Sequence, residues 1–116
     1  METPSEAVKR ELLGWPGVTI HDHRFGGIEF RVKGREMGHR HGDELADLPF
    51  PKDVGKKLIA KGKASPHHFI PQSGWISCYV NGQEGVPNVI ELFRMQYERM
   101  TGYGKKPTGV SLAQSP

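Results

Sequence analysis

The strongest hydrophobic pattern lies towards the end of the chain. Val86, Val89, Ile90, Phe93, Tyr97 and Met100 recur at helical spacing. They fall within an arc of roughly 100°, the width of a core-facing stripe. This predicts a helix starting near Pro87 and ending about Met100, with Arg94 and Glu98 as an i,i+4 pair off the stripe. At the other end, "TPSEAVKRELLGWP" reads as a helix over 4–13. Thr3 is its N-cap, Pro4 its first residue and Glu6 the second half of a capping box. Val8 and Leu12 share a face, Gly14 and Pro16 stop the helix, and Trp15 anchors its end. A third helix is predicted over 51–61, entered at Pro51 and closed by Gly62. Its apolar arc is Val54, Leu58 and Ile59, flanked by lysines whose stems lie along the buried stripe. Gly55 lies inside that arc and permits a close backbone approach.

Between these helices the period changes from 3.6 to 2. "GVTIHDHRF" is an irregular strand broken by Gly26-Gly27, and "IEFRVK" alternates with Ile28, Phe30 and Val32 inward. "KGRE" then predicts a two-residue hairpin turn with Gly34 and Arg35 at its centre. That register pairs Lys33 with Glu36, Phe30 with His39, Glu29 with Arg40 and Ile28 with His41. It places two opposite-charge pairs on the solvent face and sets His39 and His41 among the apolar side chains. "HHFI" and "WISCYV" flank "PQSG" as a second hairpin, with Ile76, Cys78 and Val80 on one face and Trp75, Ser77 and Tyr79 on the other. The predicted order is α-β-β-β-α-β-β-α, an α+β domain of helices packed on a mostly antiparallel sheet. It forms a single domain over 1–100, and the aperiodic stretch 101–116 is expected to be a flexible tail.

Composition narrows the class. The chain has 116 residues, enough for one modest core, with 35% apolar and 9% aromatic residues. A net charge of +3 without a concentrated basic stripe argues against a dedicated nucleic-acid binder and leaves a weak one as a second alternative, behind a metal-dependent enzyme using His39 and His41. Cys78 is the single cysteine, so an internal disulfide and a multi-cysteine zinc site are both excluded. The chain lacks the ~20-residue apolar stretch needed to span a membrane, and its N-terminus has no signal-peptide core. A cytoplasmic location is expected, with a small molecule or a protein as partner.

The residues "HRHGD", "DLPFP", "PHHFIP", "SGW" and the closing helix ending in "YERM" carry a resemblance to the small luciferase domain family, covering about 12–100. A looser similarity, through "ELLGWPGVT", "GWISCYV" and the late tyrosine of the last helix, is to MmcQ/YjbR-like proteins. Both imply a compact α+β architecture. The name implies no light reaction here: about 100 ordered residues cannot build the ~250-residue barrel of the flavin-dependent luciferases, and no glycine-rich dinucleotide fingerprint follows a strand.

The candidate chemistry centres on "GHRHGDELAD". His39 and His41 stand at i and i+2, so their side chains project in parallel and can bind one divalent metal. Asp43, Asp47 and one of His67 or His68, with His68 preferred, are the expected further members of a polar ligand-binding pocket. Imidazole with carboxylate suits zinc, iron or nickel. The same residues allow acid–base work by a histidine held beside an aspartate, or a polar rim on an otherwise ordinary core. No nucleophile is placed convincingly, and Cys78 reads as a buried, inert thiol. Pro49 and Pro51 read as stiffeners of a helix entry, with Leu48 and Phe50 packing. Trp75 and Tyr79 are either core aromatics or a stacking platform served by Arg24, Arg31 and the lysines of 52–63.

Overall fold

Helix α1 runs over Pro4–Leu13 with the expected capping box. The Glu6 N–H donates to Thr3 Oγ1 and the Thr3 N–H donates to Glu6 Oε1. The computed structural model describes residues 2–22, 27–67 and 73–102. Over these residues the order is α1, β1 (Thr19–Asp22), β2 (Ile28–Val32), β3 (Arg35–His41), β4 (Leu45–Pro49), α2 (Lys52–Ala60), β5 (Ser65–Pro66), β6 (Trp75–Tyr79), then a 3₁₀ turn at Gly82–Gly85 and α3 (Val86–Thr101). Each strand pairing is antiparallel, in the order β1-β2-β3-β4-β6-β5. The α+β class therefore holds, and the structure adds one strand, β4, to the predicted order. The "HHFI" half of the second hairpin lies largely outside the described residues, as does the tail beyond Gly102.

The three helices cover one face of the sheet. Phe30 and Val32 of β2, Leu48 of β4, Ile76 and Cys78 of β6 and Val89, Leu92, Phe93 and Tyr97 of α3 form the core. Phe30 meets Phe93 edge-on at 5.3 Å between ring centres. Trp15 packs on Tyr97, whose hydroxyl donates to the Pro16 carbonyl at 2.6 Å. Gly55 brings α2 against β6 as expected: a Cβ there would stand 3.0 Å from the Gly74 carbonyl and 3.2 Å from the Ile76 side chain. Cys78 is buried on this face, next to the Asn88 side-chain amide at 3.4 Å.

The first hairpin departs from the predicted register. Its two turn residues are Lys33 and Gly34, both left-handed (φ 55° and 74°), so that Val32 faces Arg35 and Arg31 faces Glu36. These angles define a type I′ turn, whose twist matches the flanking strands better than a II′ turn started one residue later. A β-bulge between Phe30 and Arg31 then shifts the pairing: Phe30 faces Gly38, Glu29 faces His39 and Ile28 faces Arg40. The expected Lys33–Glu36 and Glu29–Arg40 pairs do not form; Arg31 Nε instead donates to Glu29 at 2.6 Å. Most importantly, Gly38 rather than His39 lies over Phe93. His39 and His41 do share a face, but it is the one turned away from the helices.

Strand β4 was concealed by its own composition. Leu45 follows a three-residue loop whose first member, Gly42, has φ 62°. Ala46 and Leu48 are fully buried on the helix side, whereas Asp47 projects to the other side. Pro49 ends the strand opposite Trp75. Its missing N–H costs least at a strand end.

Candidate metal and ligand site

The face of the sheet turned away from the three described helices gathers polar side chains from three adjacent strands. In register, His39 of β3 stands beside Asp47 of β4, and Asp47 beside Ser77 of β6. Directly opposed residues project to the same face, so this alignment alone brings the three side chains together. His41, two residues on from His39, joins them, and its ring meets that of His39 edge-on at 4.9 Å between centres. His67 arrives from the end of β5, while Trp75 lies against both His39 (5.4 Å) and His67 (5.8 Å).

Asp47 is the centre. It is 0% exposed. The Ser77 hydroxyl donates to its Oδ1 at 2.6 Å. Its Oδ2 is approached by His39 Nε2 at 3.4 Å, His41 Nε2 at 3.4 Å and His67 Nε2 at 3.6 Å. One donor atom each from His39, His41 and Asp47 lies within 4.8 Å of the others. His41 is 31% exposed on its side chain, which leaves the cluster reachable from solvent.

A buried carboxylate is costly unless its charge is compensated. Here the compensation is visible in His39. Burial works to lower its pKa, but contacts with Asp47 and Glu36, together with their charges, outweigh it and raise the value to about 9. Glu36 Oε2 lies only 2.6 Å from His39 Nδ1.

The structure thus brings together His39, His41 and Asp47, with His67 beside them. His68 lies outside the described residues. Asp43 sits elsewhere: in the β3–β4 loop, its Oδ1 accepts the Ser5 N–H at 3.0 Å and so caps the first turn of α1. Ser77 and Glu36 were not expected at the site. In the sequence Ser77 simply faces away from the apolar side of its strand, and Glu36 pairs with Lys33 by charge. For Ser77 the available signal was a second strand with a polar residue at the position pairing with Asp47, visible only once β4 is recognised. Arg40 follows the opposite path: it is buried on the helix side, donates to the Gly42 carbonyl at 3.2 Å and has no partner for its Nε among the described residues. Burial lowers its pKa, with the Asp43 charge acting against that shift. Tyr79 is exposed, while Trp75 is half-buried among the imidazoles. Among the described residues no helix is long and apolar enough to cross a membrane.

No curated protein and no solved structure gives a significant match to this chain. A family model described as "Luciferase domain" matches residues 34–96. That span begins in the first hairpin turn, ends within α3 and takes in each member of the Asp47 cluster. It is more than half of the chain, and the protein therefore belongs to the luciferase domain family.

Proposed function

We propose that this domain binds a small ligand through the Asp47 cluster, and that the ligand is a divalent transition-metal ion held by His39, His41 and Asp47. The observation that carries this reading is the convergence of His39 Nε2 and His41 Nε2, each at 3.4 Å, on one Asp47 carboxylate oxygen, with His67 Nε2 beside them at 3.6 Å. Donors bound at about 2.0–2.2 Å to a tetrahedral zinc-type ion stand about 3.3–3.6 Å from one another. Charge-assisted hydrogen bonds are shorter, about 2.7–2.9 Å. The distances to Asp47 Oδ2 thus equal the edges of such a coordination shell, and one donor atom each from His39, His41 and Asp47 lies within 4.8 Å of the others. Nitrogen with carboxylate donors suits zinc, iron or nickel.

Three protein donors leave a position for water or substrate, and His41 gives that position access to solvent. An ion there would act as a Lewis acid on a bound oxygen. The chain's own part is to orient the donors, with Ser77 fixing the Asp47 carboxylate and Trp75 limiting the movement of two rings. A metal-dependent enzyme is the corresponding activity.

Elemental analysis of protein purified without chelator, followed by titration with zinc, ferrous iron and nickel, tests the proposal. A single ion per chain is expected, and it should be lost in folded His39→Ala/His41→Ala protein. Absence of uptake by the wild type for all three ions would overturn the metal reading and leave the cluster as a pocket for a metal-free ligand.

A further inference from the structure

Residues three apart on a regular strand point to opposite faces. Glu36 and His39 do not, because Met37 is an extra residue in β3: Arg31 faces Glu36, yet Phe30 already faces Gly38. The bulge returns Glu36 to the histidine face, where its Oε2 lies 2.6 Å from His39 Nδ1. On the other side of the same ring, Nε2 lies 3.4 Å from Asp47 Oδ2.

The bulge is held from the core side as well. The Gln96 side-chain amide, fully buried in α3, donates to the Met37 carbonyl at 3.1 Å and to the Pro49 carbonyl at 3.2 Å. Gly38 is required next to it: a Cβ there would stand 2.8 Å from the Asp47 carbonyl and 2.9 Å from the Phe93 ring. Bulges commonly re-aim a side chain beside a functional site.

We infer that Glu36 is a positioning residue, which keeps the His39 proton on Nδ1 and so presents Nε2 to the metal. This rests on the metal reading above. A neutral imidazole carries one N–H; a carboxylate on Nδ1 takes that donor, fixes the ring plane and makes Nε2 more basic. The bulge is thus what joins the Glu36 carboxylate, the His39 imidazole and the Asp47 oxygen in one chain of contacts.

Glu36 is partly exposed and outside the apolar core, so it is replaceable. The experiment compares wild type, Glu36→Gln and Glu36→Ala as full-length chains stripped of metal and titrated with zinc against a competing chelator. The His39 ring nitrogens and their protons are followed by NMR in the zinc form. Loss of such a partner typically weakens metal binding by about 10–100-fold, and Glu36→Ala is expected in that range. Glu36→Gln, which keeps an acceptor, should fall between. The hydrogen-bonded Nδ1 proton of His39 should be present in wild type and lost in Glu36→Ala. Thermal stability of the zinc-free variants separates loss of fold from loss of positioning. A purely structural Glu36 would lower stability and leave both the zinc affinity of the folded protein and the ring signature unmoved. Equal zinc affinity in the three proteins would sink the role of Glu36 alone, whereas no zinc uptake by wild type would sink the metal reading with it.

Discussion

The two faces of the central sheet are built by opposite rules. On the helix side, Phe30, Leu48, Ile76 and Phe93 are buried by apolar neighbours. On the other side, Asp47 and Ser77 are equally withdrawn from water, but amid imidazoles and a carboxylate. Both faces lie on the same strands, one residue apart. Apolar burial needs only volume and pattern, and it tolerates substitution of like for like. Polar burial needs each group matched to a partner, so its members are interdependent. The helix side makes the fold, and the histidine side uses the resulting rigidity to hold groups that would otherwise separate.

Substitutions on the two sides should therefore come apart. Phe93→Ala opens a cavity over Phe30 and Gly38, and denaturant unfolding should show a loss of about 3–5 kcal/mol. At temperatures where that variant is still folded, its metal uptake should survive. Asp47→Asn keeps the shape of the side chain and the Ser77 contact, so it should cost less stability than Phe93→Ala and yet abolish metal uptake. If both variants lost stability and uptake in parallel, the division between the faces would fail.

The next effect in size is pH dependence confined to the polar side. The folded pKa of His39, about 9, lies above the ordinary value of 6.5. Proton binding at His39 thus favours the fold. Its contribution is complete below pH 6.5, declines as pH rises through 6.5–9 and is absent above 9. At about 1.4 kcal/mol per pKa unit, the metal-free protein should lose about 3 kcal/mol across that window. His39→Gln should flatten the profile in urea unfolding, and an unchanged slope in that variant would assign the effect elsewhere.

Gln96 connects the two sides. Gln96→Leu preserves bulk but leaves the Met37 and Pro49 carbonyls without their donor, a loss of about 1–3 kcal/mol. It should also loosen the bulge, measurable as faster amide exchange at Met37 and Gly38. Smallest is the cap on α1: Thr3→Ala should cost about 1 kcal/mol without reaching the site. A larger effect on metal binding there would mean that α1 and the Asp43 loop communicate with the cluster.

The helices were legible in the sequence because their signals are local. Thr3, Pro4 and Glu6 mark a start within four residues, and the α3 stripe repeats over several turns. The hairpin was legible as a hairpin, but its register was not. "VKGR" allows a two-residue turn at Gly34-Arg35 or at Lys33-Gly34, and the second requires a lysine with positive φ, which sequence statistics disfavour. The bulge at Met37 left no mark in the alternation, because Met37 and Gly38 both suit a buried position. Charge pairing favoured the wrong alternative: Lys33–Glu36 and Glu29–Arg40 look complementary, whereas Glu36 is used by His39 and Arg40 lies beneath the sheet. For the site, His39, His41 and Asp47 were readable from residue type and spacing. Ser77 and Glu36 were not, since their roles arise from strand pairing across 30 residues in one case and from the bulge in the other.

Cys78 turns this architecture into its own clock. It is the chain's single cysteine, buried on the helix side next to Ser77 in sequence, with its thiol pKa raised chiefly by burial. A thiol in that state reacts with an alkylating reagent only when β6 parts from its neighbours. The rate of modification under native conditions then reports how often the strand carrying Ser77 comes away from Asp47. A ligand that closes the Asp47 cluster should slow that rate without touching the sulfur.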